Sequence, residues 1–331
     1  MPFRDIAGHE QVNSLIARAA LRKTLPPSLI FAGPSGVGKR MAAVALAQLV
    51  NCQGPAGEDA CGECAPCRRI ARGVHADVLI LEPGETGAIK IEQIREAIER
   101  SAYRPFEGRR RVVIIDDAEQ IVLAAQDALL KTLEEPPPGT TFVLVSAVPE
   151  TLVPTIRSRC QRLRFGRLSP ADVAAVLMRA HAFSETDAHA AAAFSDGSVG
   201  RALEGATEEF VEARAAALRL LEALAQSPPP ARRIIGASGL PGAGRSKADR
   251  DALAQSLRAL SSILRDLGIL GARTGHDSLA NADFRQKLDG LLRSYGHDRV
   301  LRAFAAVDEA LEALDRNASP KIVADWLAFQ I

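Results

Sequence analysis

A glycine-rich segment of this sequence matches a phosphate-binding loop except at its last position. Residues 33–40 read GPSGVGKR, which fits the P-loop pattern G-x-x-x-x-G-K-[ST] up to Lys39 and then places Arg40 where the pattern has Ser or Thr. In a P-loop, backbone N–H groups surround the phosphates, the Lys reaches the terminal phosphates and the hydroxyl ligates Mg²⁺. A guanidinium only donates hydrogen bonds and cannot ligate a cation. The sequence therefore predicts a phosphate-binding loop without its magnesium ligand. Its predicted binding residues are Gly33, Gly36, Gly38 and Lys39.

Two carboxylates follow a later apolar run and complete a degenerate nucleotide site. Asp116 and Asp117 come directly after the run RVVII, as in a Walker B motif. In that motif the first Asp holds Mg²⁺ through water, and a following Glu orients the attacking water. Here Asp117 is one methylene shorter than Glu, and Glu119 stands two residues further on. An Asp pair at a strand end is also a common solvated turn, but the P-loop upstream favours the nucleotide-site interpretation. Because phosphoryl transfer depends on positioning, the shorter acid argues against hydrolysis.

Composition limits the classes of function. The 331 residues carry a formal charge of +1, so any contact with nucleic acid must be local. Hydrophobic residues make up 47% of the chain and aromatic residues only 4%, which is typical of a mostly helical soluble protein. The N-terminus lacks a signal-peptide pattern, and no apolar run has membrane-spanning length. We therefore expect a cytoplasmic protein with two or three domains.

Four of the five cysteines form a cluster with metal-ligand spacing. In the cytoplasm thiols stay reduced, so clustered cysteines indicate metal before disulfide. The spacing C-x8-C-x2-C-x2-C offers four thiolates to one ion and leaves no open position, which favours structural Zn²⁺. Ordinary thiols and a redox C-x-x-C pair are the weaker alternatives. The predicted ligands are Cys52, Cys61, Cys64 and Cys67, whereas Cys160 is predicted to be a core thiol.

A Ser-Arg-Cys triplet near a basic run has two interpretations. Arg159, in Ser158-Arg159-Cys160, precedes further arginines at 162, 164 and 167. Basic residues at a strand edge are commonly solvated or contact phosphate. Alternatively, Arg159 is an arginine finger, a guanidinium offered to the γ-phosphate of a neighbouring subunit, where such groups contribute about 10³–10⁵ in rate. The triplet alone does not decide between them.

Alternating apolar runs and helical patterns in the N-terminal half predict a doubly wound parallel sheet. The predicted strands cover residues 28–32, 78–81, 111–117, 142–146 and 162–165, and the predicted helices cover 6–25, 41–50, 91–101 and 118–134. From residue 170 onward the pattern is helical. A Pro-, Gly- and Ser-rich stretch at 227–248 predicts a linker or loop, and the later helical pattern is interrupted near 271–281.

Taken together, the motifs resemble the bacterial clamp-loader branch of the AAA+ ATPases. The segment 127–137 reads DALLKTLEEPP, and it is followed by the Ser-Arg-Cys triplet as in that family. The P-loop, the cysteine module after the P-loop helix and the Walker B carboxylates also stand in the family's order. Near the end, residues 317–321 (NASPK) resemble the family's collar segment. The resemblance covers nearly the whole chain and is densest between residues 3 and 165.

The resemblance implies a three-domain architecture. An α/β AAA+ P-loop domain would span residues 1–168, with a parallel sheet, flanking helices and a zinc module at about 52–67. An all-α lid domain would follow at 169–225, and an all-α collar domain, used for oligomerisation, at 226–331.

The family contains subunits of two kinds that carry this zinc module. Motor subunits (gamma/tau) hydrolyse ATP, whereas a catalytically deficient subunit lends its Ser-Arg-Cys arginine to the adjacent motor. This sequence is similar to the second kind at Arg40 and Asp117, and at two positions that the family uses as nucleotide sensors. These hold Ala147 and Gly200, and Arg201 is one step away, about 100° around a helix.

The resemblance implies a non-hydrolysing clamp-loader subunit of DNA polymerase III, acting in DNA replication. It implies gamma/tau and delta subunits as partners in a hetero-oligomer, with the sliding clamp and primer-template DNA reached through the complex. Arg159 would act in trans, the cysteines would hold Zn²⁺, and binding of ATP or ADP is left open. One alternative is an active gamma-like ATPase, which predicts turnover by the chain alone. Another is a zinc-dependent DNA-repair or recombination factor, which predicts tight, salt-dependent DNA binding.

Overall fold

Five short apolar segments form one parallel sheet in the computed structural model of the chain. The strands are β1 (Ser28–Ala32), β2 (Val78–Leu81), β3 (Arg111–Ile115), β4 (Thr140–Ser146) and β5 (Gln161–Arg164). Their spatial order is β2-β3-β4-β1-β5, and every neighbouring pair is parallel. The structure describes all residues except 1, 55–56, 85, 205–207, 227–246, 273–278, 280 and 317.

Helices cover both faces of this sheet, because parallel strands must be joined by crossover connections. The helices are α1 (Glu10–Leu21), α2 (Lys39–Asn51), α3 (Ala65–Ala71), α4 (Ile91–Ser101), α5 (Leu123–Glu134) and α6 (Pro154–Arg159). Successive residues of a strand point to opposite faces, so Val112 and Ile114 of β3 pack in a core with α1, α2 and α3. Val113 and Ile115 pack in a second core with α4, α5 and α6. This arrangement confirms the predicted doubly wound parallel sheet.

The predicted boundaries of two helices, over 6–25 and 118–134, are wrong. The helix predicted over 118–134 starts only at Leu123, after a 3-10 turn at Ala118–Gln120. The chain cannot enter a helix directly from β3, since Asp117 has a left-handed φ of 47° and Ile121 bridges to Ile89. The first helix, predicted over 6–25, covers only α1, and the chain turns at Lys23, where φ is 58°.

The chain divides into two compact units, Met1–Asp172 and Val173–Ile331. The described residues of the second unit contain helices and no strand. From α7, in which the boundary between the units lies, these are α7 (Pro170–His181), α8 (Glu185–Phe194), α9 (Val199–Glu204), α10 (Glu208–Gln226), α11 (Lys247–Gly271), α12 (Arg285–Tyr295), α13 (His297–Asp315) and α14 (Pro320–Ala328). The last five share one apolar core, which includes Leu221, Leu264, Leu288, Val307 and Leu327.

Several predictions about the second unit fall on residues that the structure leaves undescribed. The linker predicted at 227–248 lies almost wholly outside the described residues, as do most of the interruption at 271–281 and Asn317 of the collar-like segment. The division into lid and collar domains therefore stays a prediction. Among the described helices, none combines the length and the apolar character needed to cross a membrane.

A buried ion pair fixes the loop that leads from α4 into β3. Asp77 is fully buried and accepts hydrogen bonds from Arg111 Nη2 at 2.8 Å and from the backbone N–H groups of Phe106, Glu107 and Gly108 at 2.7–2.9 Å. Burial alone would raise the pKa of Asp77, but these donors outweigh it and lower the pKa to about 2. Because the folded-state pKa is depressed, the carboxylate stabilises the fold above about pH 4 and loses this effect as the pH falls towards 2.

We expect Asp77→Asn to lower the free energy of unfolding of the full chain by about 3 kcal/mol at neutral pH, because the substitution leaves the Arg111 charge buried without its counter-ion. Chemical denaturation measures the effect. Asp127→Asn is the matched control, since Asp127 is exposed on α5 and its loss should change stability by less than about 0.5 kcal/mol. Equal effects of the two substitutions would contradict a stabilising role for the buried pair.

Candidate functional site

The glycine-rich segment connects β1 to α2 as a tight loop. Gly33 donates its N–H to Ser146 O of β4 at 3.2 Å, and a side chain at this position would collide with the backbone carbonyl of Phe165. Gly36 and Gly38 have φ values of 73° and 99°, a region that only glycine enters at little cost. The loop therefore depends on all three glycines. It ends at the N-terminus of α2, where free backbone N–H groups attract anions.

Lys39 is the first residue of α2 and lies inside the loop. Its side chain is only 6% exposed, and Nζ donates to Gly33 O and Pro34 O at 2.7 Å each. Burial lowers the pKa of Lys39, whereas nearby carboxylates, of which Glu119 has the largest effect, act in the opposite direction. The ammonium is thus held by the same loop that would surround a phosphate group.

Arg40 forms ion pairs with carboxylates at the ends of two neighbouring strands. Its Nη1 lies 3.3 Å from Asp116 Oδ2, directly after β3, and its Nη2 pairs with Glu82, directly after β2. Burial and the charge of Asp117 raise the pKa of Asp116, and Arg40 opposes that shift. The guanidinium therefore lies against the carboxylate to which the sequence assigns the metal-binding role.

These residues do not fit the Mg²⁺ ion that P-loop hydrolases use. Mg²⁺ requires near-octahedral oxygen ligands, but position 40 supplies only hydrogen-bond donors. Asp116, the remaining ligand candidate, is already paired with the Arg40 guanidinium. The arrangement can present positive charge to a phosphate, and it lacks the ligand set for metal-assisted hydrolysis.

Glu119, and not Asp117, is the partly buried carboxylate that acts most strongly on the charge of Lys39. Asp117 is exposed and has a left-handed backbone, whereas Glu119 Oε1 accepts a hydrogen bond from Ala147 N at 3.1 Å. Burial raises the pKa of Glu119. The resemblance to the clamp-loader family puts a sensor position at Ala147, whose side chain is apolar and whose backbone N–H donates to Glu119. The sequence analysis noted Glu119 without giving it a role, and it did not identify Glu82 at all.

The other predicted sensor position belongs to the second unit. Gly200 and Arg201 lie in α9, and Arg201 Nη1 is 3.4 Å from Asp196 Oδ2. Arg201 is therefore engaged by a carboxylate five residues before it.

The four clustered cysteines converge in space. Their Sγ atoms all lie within 4.8 Å of one another, and a tetrahedral Zn²⁺ site with Zn–S bonds of about 2.3 Å requires separations of about 3.8 Å. The converging residues are Cys52, Cys61, Cys64 and Cys67. The geometry and the donor set fit a four-thiolate metal ion, and the identity of the metal as zinc stays a prediction.

Backbone N–H groups donate hydrogen bonds to the sulfur atoms of two of these cysteines. Those of Gly54 and Cys61 donate to Cys52 Sγ at 3.4 and 3.3 Å. Those of Cys64 and Glu63 donate to Cys61 Sγ at 3.3 and 3.4 Å and lower the pKa of Cys61. These donors favour the thiolate, which is the metal-binding form, at Cys61, whereas burial raises the pKa of Cys67.

The cysteine module is attached to the beginning of the chain. The guanidinium of Arg4 donates to Ala60 O at 2.7 Å and to Cys61 O at 2.9 Å. In return, the Asp59 carboxylate accepts the backbone N–H groups of Phe3 and Arg4 at 3.1 and 2.9 Å. A metal that orders the module would therefore also order the N-terminal segment.

Arg159 lies at the C-terminal end of α6. Its Nη1 donates to Thr155 O at 2.9 Å, and its Nη2 pairs with Glu134 at the end of α5. About a third of the side chain is exposed. The following Cys160 is buried, and burial raises the pKa of its thiol to about 12, as expected for the predicted core thiol. Glu134 is a partner that the sequence analysis missed.

With a P-loop after β1 and paired carboxylates after β3 on a parallel sheet, the first unit has the architecture of a P-loop domain. A family model described as DNA polymerase III, delta subunit, matches residues 8–169. Over this segment the chain belongs to the clamp-loader family of DNA polymerase III. The predicted family and the predicted α/β AAA+ fold class with a helical C-terminal part are thereby confirmed.

The individual relatives include both kinds of subunit. The chain is 43% identical over 129 residues to DNA polymerase III subunit delta' of Pseudomonas aeruginosa, a match that covers 39% of each chain. It is 35% identical over 167 residues to DNA polymerase III subunit tau of Bacillus subtilis, covering 50% of this chain and 29% of that protein. A gamma subunit-related protein from Thermotoga maritima aligns with 96% of this chain and 97% of its own, at 18% identity and a TM-score of 0.43.

The alignments to the curated relatives span well under half of each relative's length. The relatives include delta' and tau alike. The choice between these subunits therefore depends on the site residues.

We expect the purified chain to contain about one equivalent of zinc by elemental analysis, because four converging thiolates complete a tetrahedral shell. Cys67→Ser should remove most of the metal and lower the melting temperature, whereas Cys160→Ser should retain the metal because Cys160 lies outside the cluster. A metal-free chain with all five thiols freely titratable would contradict the assignment.

Proposed function

We propose that this chain is the delta-prime subunit of a DNA polymerase III clamp loader. In this proposal the chain hydrolyses no ATP itself and supplies Arg159 to the nucleotide site of a neighbouring motor subunit. The observation that carries the proposal is the Arg40–Asp116 ion pair, which puts a guanidinium where a hydrolase needs a metal ligand. Membership of the clamp-loader family supplies the context in which such a subunit functions.

The remaining site residues support a non-hydrolysing role. Asp117 is exposed and one methylene shorter than the Glu of a motor subunit, and the partly buried Glu119 accepts a hydrogen bond from the backbone N–H of Ala147. Lys39 and the glycine loop are intact. These features favour a loop that binds ATP or ADP without turning it over.

Arg159 has properties suited to a contribution in trans. It ends a short helix, keeps part of its side chain exposed, and is oriented by Thr155 O and Glu134. An ion pair between partly exposed side chains is worth little, so a phosphate of the neighbouring subunit can replace Glu134 at small cost. The planar guanidinium can donate two parallel hydrogen bonds to such a phosphate.

The partners follow from this assignment. Gamma/tau motor subunits would supply the hydrolysis, a delta subunit would complete the ring, and the ring would load the sliding clamp on primer-template DNA. Since the net charge is only +1, any contact of this chain with DNA would use a local group of basic residues. The proposed place of action is the cytoplasm, with the collar helices providing the contacts between subunits.

The finger assignment is tested in the assembled clamp loader. We expect Arg159→Ala to lower the DNA-stimulated ATPase of the complex at least about tenfold, because an arginine finger contributes about 10³–10⁵ at its own site. Arg157→Ala is the matched control, since it removes an exposed arginine from the same helix and should leave the rate unchanged. Size-exclusion chromatography checks assembly, and wild-type ATPase in a fully assembled Arg159→Ala complex would contradict the assignment.

The motor-subunit alternative is tested on the chain alone. We expect the purified chain to show no ATP turnover above background, because it lacks the hydroxyl and the carboxylate that a motor uses. Lys39→Ala should therefore leave the measured rate unchanged. Turnover that Lys39→Ala abolishes would favour an active gamma/tau-like ATPase; a tau subunit is among the relatives.

A further inference from the structure

The arginine in the P-loop lies between two carboxylates that the sheet brings together. β2 and β3 pair with Leu81 opposite Ile115, so Glu82 and Asp116 follow adjacent strand ends. Asp116 N also donates to Leu81 O at 2.9 Å, which fixes this juxtaposition. Arg40, on the first turn of α2, places its guanidinium between the two acids. The positive charge of Arg40 thus lies at the carboxyl edge of the sheet, next to the phosphate-binding loop.

We propose that this loop binds nucleoside polyphosphates without a divalent cation, with the Arg40 guanidinium in the place of the ion. The inference rests on the nucleotide-binding part of the proposed function and is independent of Arg159. A metal ion in a P-loop neutralises phosphate charge and links the phosphates to the Walker B Asp. A guanidinium can do both, because it carries a positive charge and donates to a phosphate and a carboxylate together.

The two ion pairs of Arg40 differ in a way that permits this exchange. Glu82 is 49% exposed, so water readily replaces Arg40 as its partner. Asp116 is only 14% exposed and loses more when its counter-charge leaves. An arriving phosphate group would therefore displace Glu82, while Arg40 keeps its contact with Asp116.

We expect a divalent cation to bind weakly at this site. It would find no hydroxyl at position 40, and it would have to compete for Asp116 with a guanidinium tethered to the same loop. The positive charge of a phosphate-bound Mg²⁺ ion would also repel the Arg40 guanidinium, and the metal-bound nucleotide would attract Arg40 less strongly than the free nucleotide, because it carries less negative charge. Excess Mg²⁺ should therefore leave nucleotide affinity unchanged or weaken it, which is the opposite of its effect on a complete P-loop site.

The sign of the magnesium effect is measured by titrating ATP into the full-length chain by calorimetry, once in excess MgCl₂ and once in EDTA. We expect the wild-type chain to bind ATP at least as tightly in EDTA as in MgCl₂. Arg40→Ser should bind about tenfold or more weakly in EDTA, because it loses a charged hydrogen bond, and should regain affinity in MgCl₂ because it restores the hydroxyl ligand.

Two further variants complete the experiment. Arg95→Ser removes an exposed arginine from α4 in the same unit and should behave as the wild type in both buffers. Lys39→Ala should abolish binding in both. Thermal unfolding shows whether the Arg40→Ser variant is folded. We expect it to fold, because the Arg40 side chain is about half exposed.

The possible outcomes separate the two proposals. Binding by the wild-type chain that requires Mg²⁺, or an Arg40→Ser variant with the wild-type response to Mg²⁺, overturns the metal-free site. Absence of ATP binding in both buffers also overturns it, and removes nucleotide binding from the proposed function. None of these titrations changes the expected effect of Arg159→Ala on the ATPase of the assembled complex. The role of Arg159 in trans is therefore tested independently of nucleotide binding by this chain.

Discussion

The contact between Arg40 and Asp116 is the interaction on which the account of this chain depends. It joins the first turn of α2 to the end of β3, the two places that a P-loop enzyme uses to hold its metal. Because one partner is a guanidinium, the charge at this point is fixed by the chain itself. A loop with intact glycines and lysine therefore faces a site without a metal ligand set. In the proposed function, this contact is the main reason why the chain would not hydrolyse nucleotide.

The surrounding structure holds this site in a defined position. The collision that a side chain at Gly33 would have with Phe165 O keeps the loop close to the sheet, and the register of β2 and β3 brings Glu82 next to Asp116. The buried Asp77–Arg111 pair fixes the segment that enters β3. The cysteine module follows α2 and is bonded to the N-terminal residues. Rigidity of this kind suits a subunit whose contribution is a correctly placed arginine.

The strands were predictable because buried parallel strands are continuous apolar runs bounded by turn residues. Three of the five, β1, β2 and β3, begin where the sequence predicted, and the cysteine spacing indicated a metal cluster that the structure brings together. The late start of α5 was not predictable, since it follows from the left-handed backbone of Asp117 and the Ile89–Ile121 bridge. Both depend on tertiary contacts that helical periodicity does not record.

Sequence patterns did not identify the acidic residues that contact the arginines of the candidate sites, and the reason is related. Glu82 and Glu134 stand 42 and 25 residues from the arginines that they contact, and only strand register and helix packing bring them near. Glu119 follows the Asp pair closely, but its burial depends on the 3-10 turn that replaces the predicted helix start. A sequence motif identifies residues by type and spacing, and it does not show which distant side chain each of them contacts.

The central claim is that this chain hydrolyses no nucleotide even when it is assembled with motor subunits. The most direct test is the stoichiometry of the rapid-quench phosphate burst of the complete clamp loader with labelled ATP, with Lys39→Ala introduced only in this chain. The account predicts a burst amplitude that equals the number of motor subunits and is unchanged by the substitution. A burst that falls by one phosphate per complex in the Lys39→Ala assembly would show that this chain is itself a motor and would contradict the account.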